Sequence, residues 1–109
     1  MAHYLVQLTY TPEAWAAQLK SPASRVEAVQ PVMDKLGARF ESVYLAFGEY
    51  DVVFFMEAPD NVTAAAVSLA FTSGGAIKAI KTTPLLTIEE GIEAMRKGAE
   101  GASMYQPPR

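Results

Sequence analysis

Val52-Val53-Phe54-Phe55-Met56 is the longest strictly apolar run in the chain, and how it is read decides the fold. Five residues fall far short of the roughly 18 that a membrane-spanning segment needs, so the run reads as a strand. A strand with one wet face alternates in polarity. This one is apolar at odd and even positions alike, which predicts burial on both faces. Just upstream, Gly48-Glu49 has the form of a two-residue hairpin turn in which glycine supplies a positive φ. That turn joins a strand over residues 50–57 to an earlier one over 39–47, where Val43, Leu45 and Phe47 alternate with Ser42, Tyr44 and Ala46.

Outward from this hairpin, residues 3–10 alternate as a first strand, with Tyr4, Val6, Leu8 and Tyr10 on one face. Thr11-Pro12 has the form of a helix cap followed by proline at the first helical position, opening a short helix through Leu19. Ser21-Pro22 repeats that signal for a second helix, which buries Val26, Val29, Met33 and Leu36 and ends at Gly37. Pro31 lies inside it and predicts a kink or break near Glu27 to Gln30. Pro59-Asp60-Asn61 opens an alanine-rich helix, with Val62 and Leu69 filling the gap to the sheet and Gly74-Gly75 at its end. A fourth strand follows near residues 76–83, where Pro84 is expected to stop the pairing. Thr87 caps a last helix over 88–97. Residues 98–109 lack a period and read as a tail beyond a domain of residues 1–97.

The order β-α-β-β-α-β predicts an α+β, ferredoxin-like fold. Its four-stranded antiparallel sheet carries both main helices on one face. Nothing in the chain is left to cover the other face. Burying an aliphatic or aromatic side chain contributes roughly 1.5 to 3 kcal/mol, so a second copy laid sheet against sheet is expected to supply the cover. The expected assembly is a homodimer or a larger homo-oligomer.

Composition narrows the chemistry. The chain has 109 residues, half of them apolar, with net charge −3, no cysteine and one histidine. One domain with a sizeable core is expected. Disulfides and cysteine-based metal centres are excluded, and a multi-histidine site could form only between chains, so no metal and no cofactor are expected. Excess acid argues against nucleic acid as a partner. Met1 to Tyr10 has neither the basic start nor the apolar run of a signal peptide, so no membrane association and a cytoplasmic location are expected.

Phe47-Gly48-Glu49-Tyr50-Asp51-Val52-Val53 carries Gly-x-Tyr-Asp, the signature for which the GYD domain family is named. Ser21-Pro22 with Arg25 and Val29, Glu57-Ala58-Pro59-Asp60, the alanine-rich helix ending in Ser73-Gly74, and Thr82-Thr83 resemble that family in the same order. The resemblance spans about residues 3–95. It implies a dimeric α+β barrel of the ferredoxin-like superfamily, which also contains cofactor-free monooxygenases, lactone isomerases, haem-degrading enzymes and small stress proteins. It does not imply a particular activity. Pro31 and the proline-rich tail depart from the family pattern.

Alternation sends His3, Leu5, Gln7, Thr9 and Tyr44 to the uncovered face, where Gln7 and Tyr44 must find partners across an interface or on a ligand. They lead the candidate ligand-binding residues. Tyr50 and Asp51 follow as groups at a pocket rim, Asp51 being either a hairpin acceptor or a base. Lys81, on an edge strand, either discourages strand pairing or meets an acidic ligand. His3 is an interface residue, an acid–base group or a haem ligand. No serine has a nucleophile-elbow pattern, and Gly74-Gly75 is not a phosphate loop. The expected function is a small oligomeric protein that binds a small apolar or aromatic molecule or assembles through its sheet face. The alternative is a cofactor-independent oxygenase or isomerase, in which Tyr44 and Gln7 orient an oxyanion while His3 or Asp51 removes a proton. Whether the chain is an enzyme stays open at this point.

Overall fold

A computed structural model describes residues 1–108. Its elements are β1 (Ala2–Tyr10), α1 (Pro12–Lys20), α2 (Arg25–Leu36), β2 (Arg39–Leu45), β3 (Val52–Ala58), α3 (Asn61–Thr72), β4 (Ile77–Leu85) and α4 (Ile88–Ala102). The strands form one sheet in the order β2-β3-β1-β4, with every neighbouring pair antiparallel. This is the ferredoxin-like α+β arrangement.

The core lies on one side of that sheet. Tyr4, Val6 and Leu8 of β1 and Val52, Phe54 and Met56 of β3 are buried with Met33 of α2 and Ala64 and Val67 of α3. Alternation explains the set, since these strand residues are two apart and share a face. Phe40 joins them edge-on to Phe54, with ring centroids 5.1 Å apart. At one end the buried Tyr4 hydroxyl donates to Asn61 Oδ1 at 2.6 Å, fastening β1 to the start of α3. Gly37 closes α2 with a φ of 74°, a conformation glycine adopts without a side-chain clash.

Several expectations change. The turn between β2 and β3 is not a two-residue hairpin. It is a six-residue loop over 46–51, Gly48 has no positive φ, and the loop closes through Ala46 N–H to the Asp51 carbonyl. β2 therefore ends at Leu45, and Leu45 and Phe47, expected against the helices, are exposed. Ser21-Pro22 does not open α2. A residue before proline is steered away from helical geometry, so Ser21 ends α1, and α2 begins after Ser24, whose side chain makes no capping hydrogen bond. Nor does Pro31 break α2, which is helical from Arg25 to Leu36. Pro31 and Glu27, whose carbonyl it leaves without a donor, both lie on the exposed side, where water can serve that carbonyl.

Val62 and Leu69 do not fill the gap beneath α3. Ala64 and Val67 are buried there instead, so the inward stripe of the helix is rotated from the one expected. Pro84 does not end β4, because it stands opposite Tyr4 within the strand. An edge strand tolerates proline when the missing N–H faces outward. Finally, α4 runs five residues past Lys97 into what read as tail.

Asp60 caps α3 by accepting from Thr63 N–H, and Glu90 accepts from Thr87 N–H in a capping box at α4. These amide hydrogen bonds hold both carboxyls below their ordinary range. A depressed carboxyl pKa contributes stability above its unfolded value and loses it as pH falls through the folded one. Helical circular dichroism is therefore expected to decline below about pH 4. Asp60→Asn, which caps without titrating, should make that decline shallower.

Candidate functional site

Two regions of the fold combine apolar surface with polar groups. The first lies between the sheet and the helices, where α2 and α3 leave a cavity of roughly 350 Å³. Its walls include Val29 of α2, Phe71 of α3, and Leu8, Val43, Phe54 and Ile77 of the sheet. Arg25, the first residue of α2, and Tyr10, the last of β1, add polar groups. Burial pushes the Tyr10 phenol above its ordinary pKa; the charge of Arg25 pulls it back, and Asp51 pushes it up again. The cavity thus offers an apolar interior with one guanidinium and one neutral phenol.

Tyr10 is held in place by a small network. Its backbone N–H donates to Asp51 Oδ2 at 2.9 Å, and Trp15 Nε1–H donates to the same oxygen at 3.1 Å. The Trp15 ring meets Tyr10 edge-on at 5.3 Å. Asp51 N–H in turn donates to the Leu8 carbonyl at 2.8 Å. Asp51 therefore ties the 46–51 loop to the end of β1 and to α1, and it lies off the cavity wall.

The second region is the uncovered face of the sheet. Pairing sets Lys81, Gln7, Val53 and Tyr44 side by side in one row across all four strands. Three of the candidate residues are thus brought together, spanning about 14 Å at the usual strand spacing. Leu5 and Phe55 form the next row with Thr83 and Ser42. Tyr44 is 63% exposed and Phe55 38%. Tyr50 is apart from this row, half-buried in the 46–51 loop.

His3 stands at the far end of the same face. Its Nδ1 lies 2.9 Å from Glu41 Oε1 and 4.0 Å from Glu57 Oε1, while Arg39 pairs with the other oxygen of Glu57. Among the described residues, His3, Glu41 and Glu57 form a set whose donor atoms lie within 4.8 Å of one another, of a kind that can hold a cation. Arg39 already gives Glu57 a positive partner. Glu41 arrives there through a shift of register between Phe40 and Ser42, where β2 bulges.

Sequence reasoning missed Arg25 and Tyr10 as cavity residues and the carboxylates around His3. Arg25 had no signal beyond its place in the family pattern. The bulge does have a signal, the successive polar pair Glu41-Ser42 between the inward-facing Phe40 and Val43.

An antiparallel βαββαβ sheet with helices on one face and an open second face defines a ferredoxin-like α+β domain. Within that class the chain belongs to the GYD domain family, whose pattern it matches over residues 4–95. No curated protein compared with the chain matches it. Among solved structures it is similar to MtbAldR, with a TM-score of 0.58 and 15% identity over 79% of this chain and 52% of that one. The chain thus spans about half the length of MtbAldR. It is also similar to a 5-chloro-2-hydroxyhydroquinone dehydrochlorinase from Burkholderia phenoliruptrix solved with 2,5-dihydroxybenzoquinone. There the TM-score is 0.55 and the identity 14%, over 77% of this chain and 93% of that one. An uncharacterized NIPSNAP domain protein from Burkholderia xenovorans gives 0.50 and 17%, over 80% and 94%. At these identities the likeness shows the fold. No helix among the described residues is long and apolar enough to cross a membrane.

Asp51→Ala leaves the Tyr10 amide and the Trp15 indole N–H without their acceptor. A loss of about 1 to 3 kcal/mol is expected in urea unfolding, with altered Trp15 fluorescence in the folded state.

Proposed function

We propose that this protein binds a small apolar molecule carrying an acidic or hydrogen-bond-accepting group, in the cavity between sheet and helices, and that copies of it associate through the open sheet face. One observation carries the binding reading: a cavity of roughly 350 Å³ walled by aliphatic and aromatic side chains, with Arg25 and Tyr10 as polar groups. That volume falls within the range of small-molecule sites, about 300 to 1,000 Å³, and the sparse polar groups would fix orientation. Gln7, Tyr44 and Lys81 serve the association, in which Tyr44 and Gln7 bond across the interface while Phe55 and Leu5 are covered. His3 lies on that face too.

A cofactor-independent oxygenase or isomerase is the second reading. The similar dehydrochlorinase, solved with a quinone, is one protein of this fold that takes an aromatic ligand. It ranks second because the proposed acid–base groups are engaged elsewhere: one Asp51 oxygen accepts two N–H bonds, and His3 is on the opposite face of the sheet.

Two fluorescent probes test the binding site, anionic 8-anilinonaphthalene-1-sulfonate and neutral N-phenyl-1-naphthylamine. Both should bind. Val29→Trp, which fills the cavity, should abolish both signals, while Arg25→Met should weaken the anionic probe about tenfold and leave the neutral one within about twofold. Binding unchanged by Val29→Trp sinks the cavity reading.

Sedimentation tests the association. The wild-type chain should be a stable oligomer at micromolar concentration, and Phe55→Lys, which sets a charge on the covered face, should lower its mass. A wild-type monomer overturns the reading.

A further inference from the structure

The helix α4 has no buried residue. Ile88, Ile92 and Met95 are 79%, 41% and 73% exposed, and with Ala99 and Ala102 they recur at intervals of four and three, forming one continuous stripe. The chain measures 59 × 34 × 22 Å, with a radius of gyration of 17.6 Å. A compact domain of this length would have about 13 Å, so part of the chain stands away from the body. A lone helix of this length is marginal in water. This one also contains Gly91, Gly98 and Gly101, each roughly 1 kcal/mol less favourable than alanine. Its capping box orders only the first turn. What holds the remainder helical must be contact made by the stripe.

The residues flanking the stripe identify that contact. On one side lie Glu89 and Arg96, seven residues apart and of opposite charge; on the other lie Gly91 and Gly98, also seven apart. Two copies of the helix laid antiparallel about a two-fold near residue 93 bring like flanks together. Glu89 then faces Arg96 of a second copy twice over, the glycines let the backbones approach, and Ile88 packs over Ala99 while Ile92 packs over Met95. A parallel pair would set each charged flank beside glycines and leave the charges unmatched. Arg96 is free to make the new pair, since its contact with Glu93 within the helix is 3.7 Å long and exposed.

We propose that α4 is a self-association arm, pairing antiparallel with α4 of a second copy through the Ile88–Ala102 stripe and reciprocal Glu89–Arg96 ion pairs. The stripe shares no residue with the sheet face or with the cavity; the first turn of α4 comes near that face, where the charge of His3 acts on Glu90.

The chain contains no cysteine, so a crosslink can be placed at will. In the full-length Ile88→Cys/Ala99→Cys variant the two thiols are about 16 Å apart along one helix, too far to join within a chain. Oxidation should give a covalent two-chain product in which peptide mapping finds the 88–99 link. Adding Arg96→Glu should reduce that product at least about fivefold, and adding Glu89→Arg as well should restore it. Circular dichroism on each variant confirms that the domain is folded. Absence of an interchain link, dominance of 88–88 and 99–99 links, or failure of the charge exchange to rescue overturns the proposal. Loss of mass in Phe55→Lys with the 88–99 link retained separates this arm from the sheet-face association.

Discussion

The structure turns on one imbalance: its central strand β3 is apolar toward both sides, and the chain supplies helices for only one. Val6, Leu8, Phe54 and Met56 face α2 and α3 and are buried. Leu5, Val53 and Phe55 face the other way and are partly exposed. At roughly 25 cal/mol for each square ångström of apolar surface removed from water, such a face favours contact over exposure. The polar groups set among the apolar ones would give the proposed contact between copies its register.

On the helix side, the cavity exists because small residues and short elements leave it unfilled. Ala70, Gly74 and Ala76 line it where larger side chains would close it. Asp51 keeps its rim ordered by binding two donors from separate elements with one oxygen. A residue in the family signature thus acts on the cavity indirectly, by holding Tyr10 and Trp15. The backbone of the same residue closes the loop over 46–51, its carbonyl accepting from Ala46 N–H and its N–H donating to the Leu8 carbonyl, with no left-handed glycine in the turn.

Element order and the core were legible in the sequence because they rest on periodicity. Thr11 and Thr87 cap the helices expected of them, α3 opens at Pro59-Asp60-Asn61 as expected, and Tyr4, Val6 and Leu8 lie on the inward face of β1. Errors arose where a local rule met a tertiary one. Gly48 read as a tight turn, yet β1 claims the Asp51 N–H, which keeps the loop wide. Pro84 read as a terminator, but an edge position asks nothing of its nitrogen. Leu69 read as core, although the depth of the α3 stripe is set by how closely Ala64 approaches the sheet. Of the candidate site, the shared row of Gln7, Tyr44 and Lys81 followed from alternation plus strand order. The cavity did not, since an unfilled volume is a property of packing and has no letter in the sequence.

The two rims of the sheet have a consequence for how copies of this molecule can grow together. One outer strand carries Pro84, which lacks the donor another strand would need, and Lys78 and Lys81 besides. The opposite outer strand is distorted at Glu41. Sideways extension into an endless ribbon is therefore obstructed at either margin. Self-recognition is steered away from strand edges, so the molecule can be sticky without adding strand to strand as a fibril does.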